Sequence, residues 1–437
     1  MQPLRVGLIG LGTVGTGVAR LLREFPERME RRAGRPIVLQ RVATRNLSKP
    51  RAVSLPGAIL TNDALGVARD PQVDVVVELI GGINPARELV LAALETGKNA
   101  VTANKALLCA HGPELFQRAR ELERSISFEA AVAGGIPIIS VLTQSMAGNQ
   151  IGCIQAIING TSNYILTEMF HREQTYDDAV RKAQELGYAE ADPTMDVNGA
   201  DAAQKLVLLT WLAFGTRITP DAFPVQGIDT IDLSDLKYAH ELGYAVKLLA
   251  TARLVNEQIE IHTQPTLVRH GEPLAQVEGP FNMIALSGDA VGQTWYSGAG
   301  AGQMPTASAV VADLIDVAIG RAQLTFRRLD VWNERQPFAV QPPGKIYRRY
   351  YLRFNVEDRP HVIADIADVL GRNLISLASV IQHEAPEVDE TAAVGAPLVP
   401  LVIMTHRTTE GQVRAALEEV QRLGCLRPPP ICMPVSD

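Results

Sequence analysis

Residues 187–205, GYAEADPTMDVNGADAAQK, gather four carboxylates, Glu190, Asp192, Asp196 and Asp201, ahead of one cation, Lys205. Like charges this close repel unless solvent, a metal or a cationic ligand compensates them. The run therefore fits a solvated loop, a metal site or a pocket for a cationic substrate. Pro193 and Gly199 make 188–199 a loop, and a helix is expected from about Ala200 to Phe214. Asp201 and Lys205 are four apart on it, on one face, with the acid first. The helix continues LVLLTWLAF, apolar nearly all round, which predicts burial rather than a surface pair. A lysine there can carry a proton to or from a reacting oxygen. Desolvation lowers its pKa while neighbouring carboxylates raise it, and the sequence does not say which prevails. The regular ladder of a calcium loop is absent.

Such a reaction needs elements that hold its partners. LRVGLIGLGTVGTGVARLL opens with a strand, Leu4–Ile9, then Gly10, Gly12 and Gly15 in GxGxxG spacing, then a helical pattern from Val14 to Leu22. Strand, glycine turn and helix in that order predict a dinucleotide site. Gly10 turns the chain, Gly12 admits the pyrophosphate, and Gly15 lets helix pack on strand. The helix N-terminus, with Thr13 and Val14, faces the phosphates. The next strand, IVLQRVATR, ends at Thr44 and Arg45 with Lys49 and Arg51 beyond and no acid. An acid there would read a ribose hydroxyl and an arginine a 2′-phosphate, so the expectation is NADP, with NAD as the alternative.

DVVVELIGG (74–82), NAVTANKALL (99–108) and SISFEAAVAGG (125–135) are read as further strands of a doubly wound sheet. Ligands lie at the carboxyl ends of such strands, where Gly81, Gly82, Asn104, Lys105 and the 129–136 loop fall. SNYILTEMF and TYDDAVRKAQELG are read as amphipathic helices, with Gly187 closing the second. In YSGAGAGQMPTASAVVADLIDVAI, Gly298, Gly300 and Gly302 allow close approach to a ligand, and Thr306 and Ser308 suit the helix start.

The chain has 437 residues, enough for about three domains. A net charge of −7 with scattered Lys and Arg argues against nucleic acid. No apolar run approaches the length of a membrane span, and no secretory signal is visible at MQPLRVGLIG. Cys109, Cys153, Cys425 and Cys432 make no ligand spacing, which fits reduced thiols in a cytoplasmic protein; the dispersed histidines remove zinc.

GLGTVG, VELIGG, TANKALL, FEAAVAGGIPII, NGTSNYIL, GYAEADPTMDVNGADAAQKL and GAGAGQMPTASAVVADL together resemble homoserine dehydrogenase, in family order over essentially the first 330 residues. The resemblance implies NAD(P)-dependent interconversion of L-homoserine and L-aspartate 4-semialdehyde, a step toward threonine, methionine and isoleucine. It implies that Lys205 is the catalytic proton carrier, that Glu190 and Asp201 bind homoserine beside Asp196, and that Lys105 lies near cofactor and substrate. It places Gly187 and Gly302 against the nicotinamide side. It further implies a monovalent-cation site, sodium by expectation, at Glu129, Val132, Gly134 and Ile136, and a homodimer or homotetramer.

Residues 331–346, which include the proline-rich ERQPFAVQPPGKI (334–346), are read as a linker. Beyond them the order βαββα resembles an ACT domain, a ferredoxin-like regulatory module. DRPH replaces its usual DRPG, putting His361 where glycine is normal, so threonine feedback and a purely dimer-forming role both stay open. The expected fold class is α/β. It comprises a Rossmann-type doubly wound parallel sheet (1–140, completed by about 300–330), an α+β substrate and dimerisation domain (141–300) and the ACT domain (347–437). No kinase region precedes the first strand, which reads as a stand-alone enzyme. Alternatives are another NADP-linked dehydrogenase of small amino or hydroxy acids, and a non-catalytic amino-acid sensor. A sensor has no need of Lys205.

Overall fold

The computed structural model describes all residues except Met1, Arg51, 330–337, 384–397, 428–429 and Asp437. The expected cation at Arg51 and most of the expected linker's first half thus lie outside the described residues. The chain forms two compact units. One comprises residues 1–154, 201–222 and 281–338, and the other 155–200, 223–280 and 339–437.

The first unit is built on six parallel strands: β1 (Leu4–Ile9), β2 (Ile37–Ala43), β3 (Leu60–Thr61), β4 (Val75–Glu78), β5 (Asn99–Thr102) and β6 (Ile126–Ser127). Their order is β3-β2-β1-β4-β5-β6, so the strand order reverses between β1 and β4, as the Rossmann reading requires. Val75, Val76 and Val77 are buried without alternation, because helices cover both sheet faces. Helices α1 (Thr13–Glu24), α2 (Pro26–Ala33), α3 (Ala64–Arg69), α4 (Ala86–Glu95) and α5 (Lys105–Glu121) connect the strands. A helix from the far end of this unit, Gln303–Ala318, packs on α1. A Cβ at Gly17 would lie 2.7 Å from the Gln303 carbonyl, so glycine sets that approach.

Three expectations here need correction. The strand foreseen at 125–135 stops after Ser127, because the chain turns into a short 3-10 segment at Glu129–Ala131. Glu129 N–H there donates to the Asp313 carboxylate (3.0 Å). The strand of 99–108 ends at Thr102, since Asn104 caps α5 by accepting from Leu107 N (3.1 Å). Thr306 and Ser308 do not start their helix: Gly302, at φ 124°, is its N-cap.

In the second unit, strands Tyr244–Val255 and Gln258–Arg269 pair antiparallel along their whole length. Ala339–Val340, inside the expected linker, adds to Gln258–Ile259 in parallel, so that stretch is structured. Helix Gly160–Arg172 is capped by Asn159 and helix Tyr176–Glu185 by Thr175. The second helix ends as expected, with Gly187 at φ 75° and Tyr188 N–H returning to the Ala183 carbonyl at 2.9 Å. The loop 188–199 contains a short helix, Thr194–Val197, because Asp192 accepts from Thr194 N (3.1 Å) and Oγ1 (2.5 Å).

The C-terminal sheet of the second unit runs Leu377–Gln382, Leu398–Thr405, Tyr350–Glu357, Ile431–Pro434. With helices Val362–Arg372 and Glu410–Val420 this is βαββαβ, the ferredoxin-like order. The fourth strand was not foreseen, because prolines 428–430 argue against a strand beginning there. The sheet's Arg353 meets helix Leu233–Glu241 through Asp235 (2.6 and 2.9 Å) and Asp232 (2.9 Å), and Tyr351 Oη adds a bond to Asp235 at 3.1 Å. Burial raises the Asp235 carboxyl's pKa while Arg353 opposes it. A buried pair of this kind fixes which faces meet more surely than it adds stability.

Candidate active site

The glycine loop of the first unit is shaped by close contacts. Gly10 has φ 107°, and a Cβ there would sit 2.6 Å from the Leu79 carbonyl. A Cβ at Gly15 would lie 2.0 Å from the Gly10 carbonyl, so the turn and α1 come too close for any side chain. A Cβ at Gly12 would meet nothing within 4 Å, and Gly12 caps α1 without a side-chain bond. The first N–H groups of α1, around Thr13 and Val14, thus open onto free space suited to a pyrophosphate. At the end of β2, Thr44 is held by its N–H to the Thr61 carbonyl (2.9 Å). Arg45 beyond it is exposed, and the Asn46 side chain closes a turn by accepting from Ser48 N and Lys49 N at 3.0 and 3.1 Å.

The ends of β4 and β5 are tied by a buried relay. Glu78, fully enclosed, accepts from Thr102 Oγ1 at 2.6 Å and Ile80 N at 2.8 Å. Thr102 Oγ1 accepts from Asn104 N (3.0 Å), and Asn104 Nδ2 donates to the Gly82 carbonyl (2.6 Å). This fixes where α5 starts, and its first residue is Lys105.

Lys105 faces helix Ala200–Phe214, whose limits match the expectation. Asp201, only 6% exposed, accepts from Lys205 Nζ through Oδ2 at 2.6 Å and pairs with Lys105 Nζ through Oδ1 at 3.1 Å. One carboxylate thus holds two ammonium groups, both within the first unit. The two helices approach closely enough for this because Gly112 of α5 lies against Trp211, where a Cβ would be 2.8 Å from the ring. Cys109 Sγ donates to the Gln204 carbonyl at 3.2 Å. Burial pushes the Cys109 thiol up to about 12, so it packs as a neutral group and not as a nucleophile.

Glu190 and Asp196 belong to the second unit. Asn159, while capping its helix through Ser162 N (2.8 Å), donates to Asp196 Oδ1 at 2.7 Å. Ser162 Oγ holds the Asp196 carbonyl (2.8 Å), and Thr161 Oγ1 holds the Tyr188 carbonyl (2.7 Å). NGTSNYIL is therefore the clamp of the acid-rich loop. Glu190 is exposed, and Gln184 Nε2 holds its carbonyl (3.3 Å). Asp192 closes a local turn just before the short helix Thr194–Val197; its bonds to Thr194 hold its pKa below the usual carboxylate value.

Gly302 and the 129–136 loop belong to the first unit. Glu129 accepts from Ile139 N and Ser140 N at 2.8 Å each and from Ser140 Oγ. Burial raises the pKa of both Glu129 and Asp313. Glu129 and Gly134 line a cavity of about 420 Å³ bordered by Pro305 and Ser308. Val132 and Ile136 are buried, and the Ile136 carbonyl accepts from Ile138 N at 2.8 Å. A Cβ at Gly134 would lie 2.7 Å from Thr306 Oγ1, so packing alone already requires that glycine.

Asn159, Thr161, Glu78 and Thr102 entered no sequence-based site. Asn159 just before an apolar helical run is a cap signal, but its bond to Asp196 joins residues 37 apart and no spacing rule finds it. Among the described residues no helix is long and apolar enough to cross a membrane, and no group of three or more His, Cys, Asp or Glu side chains could hold a metal ion.

Family models described as "Homoserine dehydrogenase, NAD binding domain", "Homoserine dehydrogenase" and "ACT domain" match residues 10–129, 137–315 and 350–425 respectively. The homoserine dehydrogenase of Neisseria gonorrhoeae is 42% identical over 434 residues, covering 98% of each chain. That of Pseudomonas aeruginosa is 43% identical over 434 residues, covering 97% of this chain and 96% of its own. A crystal structure of a homoserine dehydrogenase from Thiobacillus denitrificans superposes with a TM-score of 0.90 at 42% identity, covering 100% of this chain and 99% of that one. Those matches run through the glycine loop, the lysine–aspartate cluster and the C-terminal sheet alike, and the chain belongs to the homoserine dehydrogenase family, nicotinamide-dependent oxidoreductases that act on a CH–OH group.

Proposed function

We propose that this protein interconverts L-homoserine and L-aspartate 4-semialdehyde, with NADP preferred, in the route to threonine, methionine and isoleucine. The observation that carries the reading is the buried Asp201 carboxylate shared by Lys205 and Lys105. Family membership supplies the substrate. Nicotinamide, when bound, supplies hydride transfer at the alcohol carbon. Gly10, Gly12, Thr13, Val14 and Gly15 suit the pyrophosphate, and the Cβ contacts at Gly10 and Gly15 with open space at Gly12 fit that role. Arg45, on a strand end without an acid, suits a 2′-phosphate. Gly187 and Gly302, both at positive φ, are assigned to the nicotinamide side.

Lys205 accepts the hydroxyl proton during oxidation as the neutral amine, becoming the ammonium, and as the ammonium returns that proton to the carbonyl oxygen during reduction. Asp201 orients that ammonium, and by the family resemblance Glu190, Asp196 and Asp201 are each assigned to substrate binding. Lys105 balances the charge of Asp201 beside cofactor and substrate. Asn159 holds Asp196 through its 2.7 Å bond. A monovalent cation, sodium by expectation, is assigned to Glu129 with the carbonyls of Val132, Gly134 and Ile136. The domain limits we infer are 1–140 (completed by about 300–330), 141–300, a linker at 331–346 and 347–437. The ACT domain is read as the regulatory module of a cytoplasmic homodimer or homotetramer, with threonine the effector to try first.

The test is an absorbance assay of the purified chain with L-homoserine or its one-carbon-shorter homologue L-serine, each with NADP and NAD. Turnover confined to homoserine and faster with NADP supports the reading. Equal turnover of serine, or none with either substrate, overturns it.

A further inference from the structure

One built cavity of the second unit has no part in this chemistry. Its volume is about 320 Å³, within the range of small-ligand pockets. Leu166 and Phe170 of helix Gly160–Arg172, with Leu236 of helix Leu233–Glu241, give it apolar walls. Lys247, 5% exposed, also lines it. The ammonium donates to the Val277 carbonyl at 2.6 Å and lies 3.4 Å from Asn163 Oδ1. Among the described residues it forms no ion pair: its direct acceptors are neutral, and Glu278 of the same cavity acts on it only from beyond pairing distance. That arrangement is costly, and an anion entering the cavity would relieve it.

The mouth has the same bias. The imidazoles of His240 and His270 stand 4.7 Å apart, ring centre to ring centre, and both line the cavity. The acid there, Glu278, is already paired with His171 at 2.8 Å. Imidazoles at the mouth, a buried ammonium with only neutral direct acceptors on the wall and aliphatic sides together select a molecule with one anionic end and an apolar body. Inorganic phosphate would meet the apolar wall with polar oxygens and fits less well.

We propose that this cavity binds a small aliphatic carboxylate, with Lys247 taking the carboxylate and Leu166, Phe170 and Leu236 enclosing the hydrocarbon. A purely structural Lys247, locking its strand to Val277, would predict no such binding.

The experiment is a ligand-observed NMR titration of the full chain with isovalerate, its neutral analogue isovaleramide and inorganic phosphate. It is run on the wild type, on Lys247→Met and on Ala245→Phe, which fills the cavity from a partly exposed position. Binding of isovalerate to the wild type, weakened about tenfold or more in either folded variant, with isovaleramide and phosphate much weaker, is the expected result. No isovalerate binding, equal binding in the variants, or isovaleramide or phosphate binding as tightly would overturn it. Should Lys247→Met fail to fold, Ala245→Phe decides alone.

Discussion

Lys205 and Asp201 lie one helical turn apart on Ala200–Phe214 and bond at 2.6 Å, while the second oxygen of the same carboxylate faces Lys105 at 3.1 Å. Asp201→Asn keeps the shape but replaces the charge that pairs both ammonium groups. Two partly buried cations then lose their shared counterion, and the substrate loses an anion as well. We expect kcat/KM for homoserine to fall by about 100-fold or more, with cofactor affinity within about threefold of wild type. Steady-state kinetics beside cofactor titration by fluorescence checks both halves.

Arg45 stands exposed past the end of β2 with no acid in the position that reads a ribose hydroxyl. Arg45→Ala should weaken NADPH by about tenfold, the scale of one charge-assisted contact, and leave NADH nearly unchanged. Paired titrations with the two reduced cofactors measure the difference directly.

The glycine loop and the strand order beyond it were legible because each follows from local sterics: Gly10 and Gly15 sit where a Cβ would strike backbone. The Asp201–Lys205 pair was legible from helical spacing and the apolar run behind it. Its third member was harder: Lys105 reaches Asp201 only because Gly112 admits Trp211, a contact between residues far apart in the chain. The Asn159–Asp196 clamp and the Glu78–Thr102 relay escaped for the same reason. β6 was read too long because apolar small residues look strand-like, while the bond from Glu129 N–H to Asp313 decides where the strand ends. Lys247 gave no signal, since a lysine in YAVKLLATARLV looks like the polar member of a half-exposed strand.

His361 occupies the left-handed region at φ 73°, as the N-cap of Val362–Arg372. Glycine adopts that conformation without the Cβ clash, which costs about 1–2 kcal/mol, although its freer unfolded chain returns part of the gain. His361→Gly should therefore raise stability by about 0.5–1 kcal/mol. Denaturant unfolding with an unchanged m-value would check it.

Burial lowers the Lys247 pKa from the ordinary 10.5 to about 8. The unfolded chain then binds the proton more tightly than the folded one between those two values, so unfolding becomes harder as pH rises through that window. Relative to Lys247→Met, the wild type should gain about 3 kcal/mol between about pH 8 and 10.5 and show no difference in slope below pH 8. Urea melts of both proteins at stepped pH measure the slope.

The central claim is that Lys205 moves the proton when hydride leaves homoserine, and Lys205→Met tests it most directly. With wild type and variant at matched, saturating homoserine and NADP, the appearance of reduced nicotinamide should fall by at least about 100-fold in the variant, while NADP binds with unchanged affinity. A variant that turns over homoserine at the wild-type rate with intact cofactor binding would contradict the account.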